Sequence, residues 1–99
     1  MTQTDKTGAP TTVTRESDHF TIAVDGRVVG KAKYLDRGDK RVFTHTEVDN
    51  NYEGRGLATI LIGEALQQTR DAGLRIKALC PMVVAYLKKH DEYSDIVES

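Results

Sequence analysis

One change of rhythm constrains this chain more than anything else in it. Up to Val48 the apolar residues fall on alternate positions; from Leu57 they recur every three or four. Between the two lies Asn51-Tyr52-Glu53-Gly54-Arg55-Gly56-Leu57-Ala58-Thr59. A strand therefore runs into a glycine loop that opens an amphipathic helix. Gly54 and Gly56 carry no Cβ, so the backbone there can approach a ligand closely. The helix that starts here leaves free N–H groups and its positive dipole end facing the loop. A phosphate or pyrophosphate suits that arrangement, with Arg55 adding a full charge. The same pattern also serves as a plain strand-to-helix turn. It is not a Walker loop, because no Gly-Lys-Ser/Thr follows, nor a full dinucleotide fingerprint, because the third glycine is missing.

The rest of the chain hangs on this switch. Phe20-Thr21-Ile22-Ala23-Val24 alternates as a half-buried strand, and Asp25-Gly26 after it signals a hairpin. Arg27 to Leu35 reads as the return strand, Asp36 to Asp39 as a second turn, and Lys40 to Val48 as a third strand rich in β-branched and aromatic residues. Leu57, Ile60, Leu61, Ala65 and Leu66 share one helical face, and Gly73 stops that helix. Leu74 to Leu79 is a short strand. Cys80-Pro81 ends it, with the proline at a first helical turn, and Val83, Val84 and Leu87 continue a stripe through Lys89. The fold class expected is α+β: an antiparallel β-meander followed by helix, strand and helix (β-β-β-α-β-α). Residues 1–12 are polar and threonine-rich and read as a flexible tail, leaving 13–99 as one domain. The acidic segment Asp91–Ser99 reads as partly ordered.

Composition narrows the function classes. Ninety-nine residues make a single domain with a modest core. Charged residues are 29% of the chain and the net charge is −1, which argues against a broad basic field for nucleic acid. No apolar run reaches membrane-spanning length, and the N-terminus lacks a basic-then-apolar signal pattern. A single cysteine forms no internal disulfide and fits a reducing compartment, so a cytoplasmic protein is expected.

Several side chains carry candidate chemistry. His45 and Glu47 lie two apart on the third strand and share a face with Phe43; either can accept a proton, or both can be a solvated polar pair. Cys80 ends a strand ahead of a helix, where a thiol can be activated or simply buried. Tyr86 sits in the second helix, as a proton donor or as packing with a wet tip. Lys88, Lys89 and His90 cluster at that helix's end, where they complement its dipole or meet a phosphate. His19, His45 and His90 are too scattered for a metal set, so no metal is expected.

Taken together these motifs resemble the GNAT superfamily of acetyl-CoA-dependent N-acetyltransferases. The superfamily loop follows Gln/Arg-x-x-Gly-x-Gly/Ala; here it reads Glu53-Gly54-Arg55-Gly56-Leu57-Ala58, with Glu53 departing from the usual residue. Thr44-His45-Thr46-Glu47-Val48, Leu79-Cys80-Pro81 and Ala85-Tyr86-Leu87-Lys88-Lys89-His90, with Glu92-Tyr93, are similar to the minimal single-domain branch of the YjdJ type. The resemblance covers roughly Phe20 to Tyr93.

What the resemblance implies is a GNAT-like mixed sheet that splays between the third strand and the strand ending at Cys80, with acetyl-CoA as co-substrate in the cleft. Its pyrophosphate would lie on backbone N–H groups from Arg55 to Thr59. The implied coenzyme contacts are Val48, Glu53, Gly54, Arg55, Gly56, Leu57, Ala58, Thr59, Cys80, Tyr86 and Lys89. The implied reaction is direct attack of an amine on the thioester, with Glu47 and the neighbouring His45 as the base, Tyr86 protonating the leaving thiolate, and Cys80 beside the coenzyme thiol. Superfamily enzymes usually carry helices between their first two strands, where this chain has only Asp25-Gly26. An open, shallow acceptor site follows, which fits a bulky acceptor such as a protein N-terminus or lysine side chain better than a small amine needing enclosure. The partner expected is this amine-bearing acceptor, with no nucleic acid and no membrane, and a monomer is favoured. Two other readings stay open: an acyl-CoA-binding or regulatory module of the same fold without turnover, and a small interaction or RNA-binding module.

Overall fold

A computed structural model describes residues 2–4, 7–52 and 54–98. The expected meander is there as β3 (His19–Val24), β4 (Arg27–Arg37) and β5 (Lys40–Val48), paired antiparallel in sequence. Asp25 and Gly26 both take positive φ, 51° and 83°, as a type I′ hairpin turn demands. Helix α1 (Leu57–Asp71) follows, then β6 (Arg75–Ala78) parallel to β5, then α2 (Pro81–Lys89) with its proline in the first turn. The class is the expected α+β mixed sheet.

Two more strands come first. β1 (Thr2–Thr4) pairs with β2 (Pro10–Arg15), and β2 pairs with β3, so six strands lie side by side in chain order. The expected flexible tail over residues 1–12 is corrected accordingly: Thr11 and Val13 alternate inward and are buried. Met1, Asp5 and Lys6 lie outside the described residues. The connection between β2 and β3 is a tight turn closed by the Glu16 N–H on the His19 carbonyl at 2.7 Å. The far end of the chain is also built in. Tyr93 is buried, Arg70 pairs with Asp95 at 2.8 Å, and Val97 bridges Ile76 in parallel beside β6.

Two local features open the sheet. β5 and β6 pair only from Lys40–Arg75 to Phe43–Ala78, after which the strands part. The Phe43 carbonyl accepts the N–H groups of both Leu79 (2.9 Å) and Cys80 (3.1 Å), which turns the chain out of β6 and into α2. At the same point the β4–β5 register slips: Lys33 faces His45 but Tyr34 faces Phe43, leaving Thr44 as an extra residue. A bulge bends its strand and inverts the alternation beyond it. Arg41 and Phe43 therefore point to the core, whereas His45 and Glu47 point to the opposite, helix-free face and Thr46 is buried. The expectation that Phe43 shares a face with His45 and Glu47 fails for this reason.

The core lies between the inner sheet face and α1. Phe20, Ile22, Ala32, Tyr34 and Phe43 meet Leu57, Leu61, Ile62, Ala65 and Leu66, all buried. Each large apolar side chain taken from water contributes about 1.5–3 kcal/mol. Phe20, Tyr34 and Phe43 form a ring cluster with centroids 5.2–6.4 Å apart. Arg41 lies over it, 4.5 Å from the Tyr34 ring, and donates through Nε and Nη2 to both carboxylate oxygens of Asp36 at 2.7 and 3.0 Å. Nη1 is buried with no hydrogen-bond partner among the described residues. Arg41 is 4% exposed and Asp36 46%, so the cation depends on a partly wet carboxylate. Removing that carboxylate strands a buried charge. Asp36→Asn is expected to lose roughly 2–3 kcal/mol at neutral pH, less than a fully buried pair would lose. Hydrogen bonding from Arg41 holds the Asp36 carboxyl below its ordinary value. Its contribution is therefore complete above the ordinary carboxylate range and disappears as pH falls through the depressed value. Denaturant titrations of both proteins across that acid range check this: the gap between them should close as pH drops.

Candidate active site

Helix α1 begins at Gly56, which sits in the left-handed region (φ 76°, ψ 15°), and among the described residues no side chain caps it. The first helical bond at this end runs from the Ile60 N–H to the Gly56 carbonyl, so the amides of Leu57, Ala58 and Thr59 face outward from the first turn. Gly54 also takes positive φ, 79°, and a Cβ there would meet nothing within 4 Å. The loop is thus an open backbone cradle. Arg55 turns aside from it: its Nη2 donates to Thr7 Oγ1 at 3.0 Å and its guanidinium lies 5.0 Å from the Tyr52 ring. Glu53 is outside the described residues.

A groove runs from the end of β5 past this cradle and on between α1 and α2. One part, about 280 Å³, is lined by Glu47, Val48, Tyr52, Gly54, Leu57, Ala58 and Met82. The next, about 320 Å³, shares Ala58 and Met82 and adds Thr59, Ile62, Ala85, Tyr86, Lys89 and His90. Glu47 and Val48 also line a broader depression of about 500 Å³ on the helix-free face, with His19, Thr21, Val28, Lys31 and Asp49 among its walls. Glu47 stands where the two meet.

The electrostatics at that junction are those of a fixed anion. Lys31, opposite Glu47 in the ladder, puts its Nζ 3.4 Å from Oε1, and His45 Nε2 lies 3.7 Å from Oε2. Hydrogen bonding from Lys31, more than the weaker pull of His45, holds the Glu47 carboxyl below its ordinary value. Glu47 is thus ionised throughout the neutral range and is a weak proton acceptor by itself.

Tyr86 lies with its ring stacked on His90, centroids 3.9 Å apart and planes within 13°, and His90 Nδ1 is 3.2 Å from a Glu92 oxygen. Burial, reinforced by Tyr93 and Glu92, pushes the Tyr86 phenol above its ordinary value, so it stays protonated. The hydroxyl rests against α1 where Gly63 leaves room: a Cβ on Gly63 would come 2.8 Å from it.

Cys80, the residue before α2, is 2% exposed and its Sγ lies 3.5 Å from Thr46 Oγ1. Burial pushes the thiol up, but hydrogen bonds from Thr46 and the backbone of Val83 and Met82 outweigh it and leave it below the ordinary value. The groove wall at this end is Met82, not Cys80.

The structure therefore gathers Glu47, Val48, Gly54, Leu57, Ala58, Thr59, Tyr86 and Lys89 along one groove. His45 stands beside it, Cys80 is buried behind Met82, and Arg55 is engaged elsewhere. Sequence reasoning passed over Met82, Tyr52 and Lys31. Met82, one residue after a helix-starting proline, offered a weak signal; the pairing of Lys31 with Glu47 depends on register and offered none. Among the described residues no three His, Cys, Asp or Glu side chains converge as a metal set, and no helix is long and apolar enough to cross a membrane.

A family model described as GCN5-related N-acetyl-transferase matches residues 19–96. The chain belongs to that family. A search of curated proteins finds no match. Among solved structures, a GCN5-like protein of Staphylococcus aureus, determined by NMR, superposes with a TM-score of 0.69 at 21% identity, covering 89% of this chain and 88% of that one. An aminoglycoside acetyltransferase from an uncultured soil metagenomic sample, solved with sisomicin, gives 0.52 at 15% identity over 76% of this chain and 58% of its own. An acetyltransferase of Vibrio fischeri gives 0.50 at 13%, over 66% and 63%. These likenesses show a shared fold, and this chain spans about three fifths of the latter two.

The Tyr86 placement yields a test. Gly63→Ala gains about 1 kcal/mol of helix propensity but drives its new methyl against the phenol. We expect a melting temperature no more than a few degrees lower and a Tyr86 phenol released toward its ordinary value. Ultraviolet titration, with Tyr86→Phe identifying the signal, reads this. A clear stability loss with an unmoved titration would contradict the contact.

Proposed function

We propose that this acetyltransferase-family protein moves an acetyl group from acetyl-CoA to an amine by direct attack. The observation that carries the reading is the parting of β5 and β6 at Phe43–Ala78, which opens a groove from the uncapped α1 amides to Glu47. The pyrophosphate fits the cradle made by Gly54 to Thr59, since both glycines hold positive φ and the first-turn amides face outward. Acetyl-CoA, when bound, supplies a thioester carbonyl carbon to which the amine nitrogen bonds as the carbon–sulfur bond breaks.

The chain's own residues manage position and protons. Glu47, anionic and at the mouth of the helix-free depression, attracts the acceptor's ammonium, which releases one proton to solvent before its nitrogen attacks. The proton that leaves the nitrogen passes to the His45–Glu47 pair, with Glu47 steadying the charge that His45 takes up. Tyr86 gives its phenolic proton to the departing sulfur and recovers one from solvent. Cys80 carries no acyl group: it is buried behind Met82, so Cys80→Ala should keep most activity. The depression offers Glu47 and Asp49 against Lys31, too little negative charge for a polycation such as an aminoglycoside. A single amine on a peptide or small molecule matches it better.

A second reading is a non-catalytic acyl-CoA-binding module, favoured by the Lys31 pair that partly neutralises Glu47.

Three measurements separate these. Coenzyme A at about one hundred times its dissociation constant should stabilise the protein by roughly 2.7 kcal/mol, and Gly56→Val, strained at φ 76°, should abolish the shift. Unchanged coenzyme affinity in a folded Gly56→Val protein would falsify the cradle. Tyr86→Phe and Glu47→Gln should bind acetyl-CoA within a few-fold of wild type yet lose about tenfold or more in rate, within the range of acid–base groups. Because Glu47 is already ionised at neutral pH, Glu47→Gln should lower the rate across that whole range. Binding without transfer to any peptide or small amine in a screened pool would favour the module. Transfer at full rate by both variants would remove Tyr86 and Glu47 from the chemistry.

A further inference from the structure

The helix-free face carries a second depression, beyond Glu47 toward the β4–β5 turn. It measures about 420 Å³. Its floor is Leu35, Val42 and Leu79; its rim is Arg37, Lys40 and Lys77, and no carboxylate lines it. Leu35 is 49% exposed and Leu79 58%, among the most exposed large apolar residues of the chain. Lys40 is held by Glu98 at 2.6 Å. With Lys40 paired to Glu98, Arg37 and Lys77 are the further cations set around the apolar floor, in a chain of net charge −1.

We propose that this basin docks an acidic peptide segment bearing an apolar side chain, and that the segment belongs to the acceptor whose amine reaches Glu47. The apolar floor accounts for the side chain and the rim for the acidic flanks. Charge also selects against the alternative occupant. A second copy meeting this face across a two-fold axis would set Arg37, Lys40 and Lys77 near their own equivalents. Register supplies the link to the active site. Along the outer face Lys31 opposes Glu47, Lys33 opposes His45 and Leu35 opposes Val42. Glu47 and the basin are thus about four residues of β4 apart, roughly 13 Å along a strand. An extended peptide lying on β4 spans that distance in about four residues of its own. The acceptor class that follows is a peptide amine with an apolar residue about four positions away, set among Asp or Glu. The link to the amine rests on acetyl transfer at Glu47; the docking itself does not.

The probe is a fluorescein-labelled peptide with one lysine about four residues before a leucine flanked by aspartates. A second version carries lysines in place of the aspartates. Leu79→Asp and Lys77→Glu alter the basin on its exposed surface, with Leu79→Ser as a milder variant if Leu79→Asp fails to fold. Fluorescence anisotropy should show the acidic peptide binding wild type about tenfold or more tighter than the lysine version, with that preference lost in both variants. In turnover the variants should raise KM for the acidic peptide about tenfold, leaving kcat and the KM for acetyl-CoA unchanged. Docking without transfer would uphold the basin and count against acetyl transfer. Equal binding of the acidic peptide by wild type and variants would overturn the basin, whatever the turnover. So would a wild-type dimer in sedimentation that Leu79→Asp dissolves, since the face would then belong to a second copy.

Discussion

The carbonyl of Phe43 takes two N–H groups, from Leu79 and Cys80, and the form of the site follows from that shared acceptor. A parallel ladder spaces its bonds evenly along both strands. Here the ladder stops because both donors converge on one oxygen, and the chain leaves β6 for α2 within two residues. The extra residue Thr44 falls at the same level in β5. Were Thr44 paired in register, without the bulge, strict alternation from Phe43 would carry His45 and Glu47 to the core face under α1. With the bulge, the inward position passes to Thr46, which meets Cys80, and the charged pair reaches water. One bulge and one shared acceptor thus produce the groove and set the charged pair on the helix-free face.

The electrostatics divide the protons between two sides of the groove. On the strand side, Lys31 keeps Glu47 charged and turns it from a proton acceptor into an anchor for positive charge. On the helix side, burial keeps Tyr86 protonated. The two groups have moved in opposite directions from their ordinary values, so at neutral pH Glu47 stays charged and Tyr86 stays protonated.

The parts of this architecture that depend on neighbours in sequence were legible without coordinates. The Asp25-Gly26 turn, the Gly54–Gly56 loop, the α1 stripe and the Pro81 start of α2 each stand on chemistry within a few residues. What depends on distant partners was not. β2 holds one large apolar residue, Val13, and its other inward residue is Thr11, so its pattern reads as polar until β3 is placed beside it. The last segment looks acidic and loose until Tyr93, Ile96 and Val97 are seen against the core. The face of Glu47 could not be read because a single unpaired residue at 44 inverts it. The loop opens α1 from two positive-φ glycines as its sequence suggested, but Arg55, counted as its charge, is held by Thr7 and Tyr52.

The C-terminal segment has a consequence for the company the protein keeps in solution. β6 would otherwise present a free outer edge. Instead the Ile76 N–H donates to the Ile96 carbonyl at 2.8 Å, and the Ile76 carbonyl accepts from the Glu98 N–H at 2.7 Å. At Ile76 the main-chain groups through which another chain would recruit this edge are already occupied. Glu98 also brings negative charge beside Lys40 and Arg75, so the closing strand is fastened by ion pairs as well as by backbone. An unprotected sheet margin invites neighbours to stack onto it strand by strand. Residues that contribute no chemistry thereby act as a selvedge, keeping the sheet's growth from continuing past its own last strand.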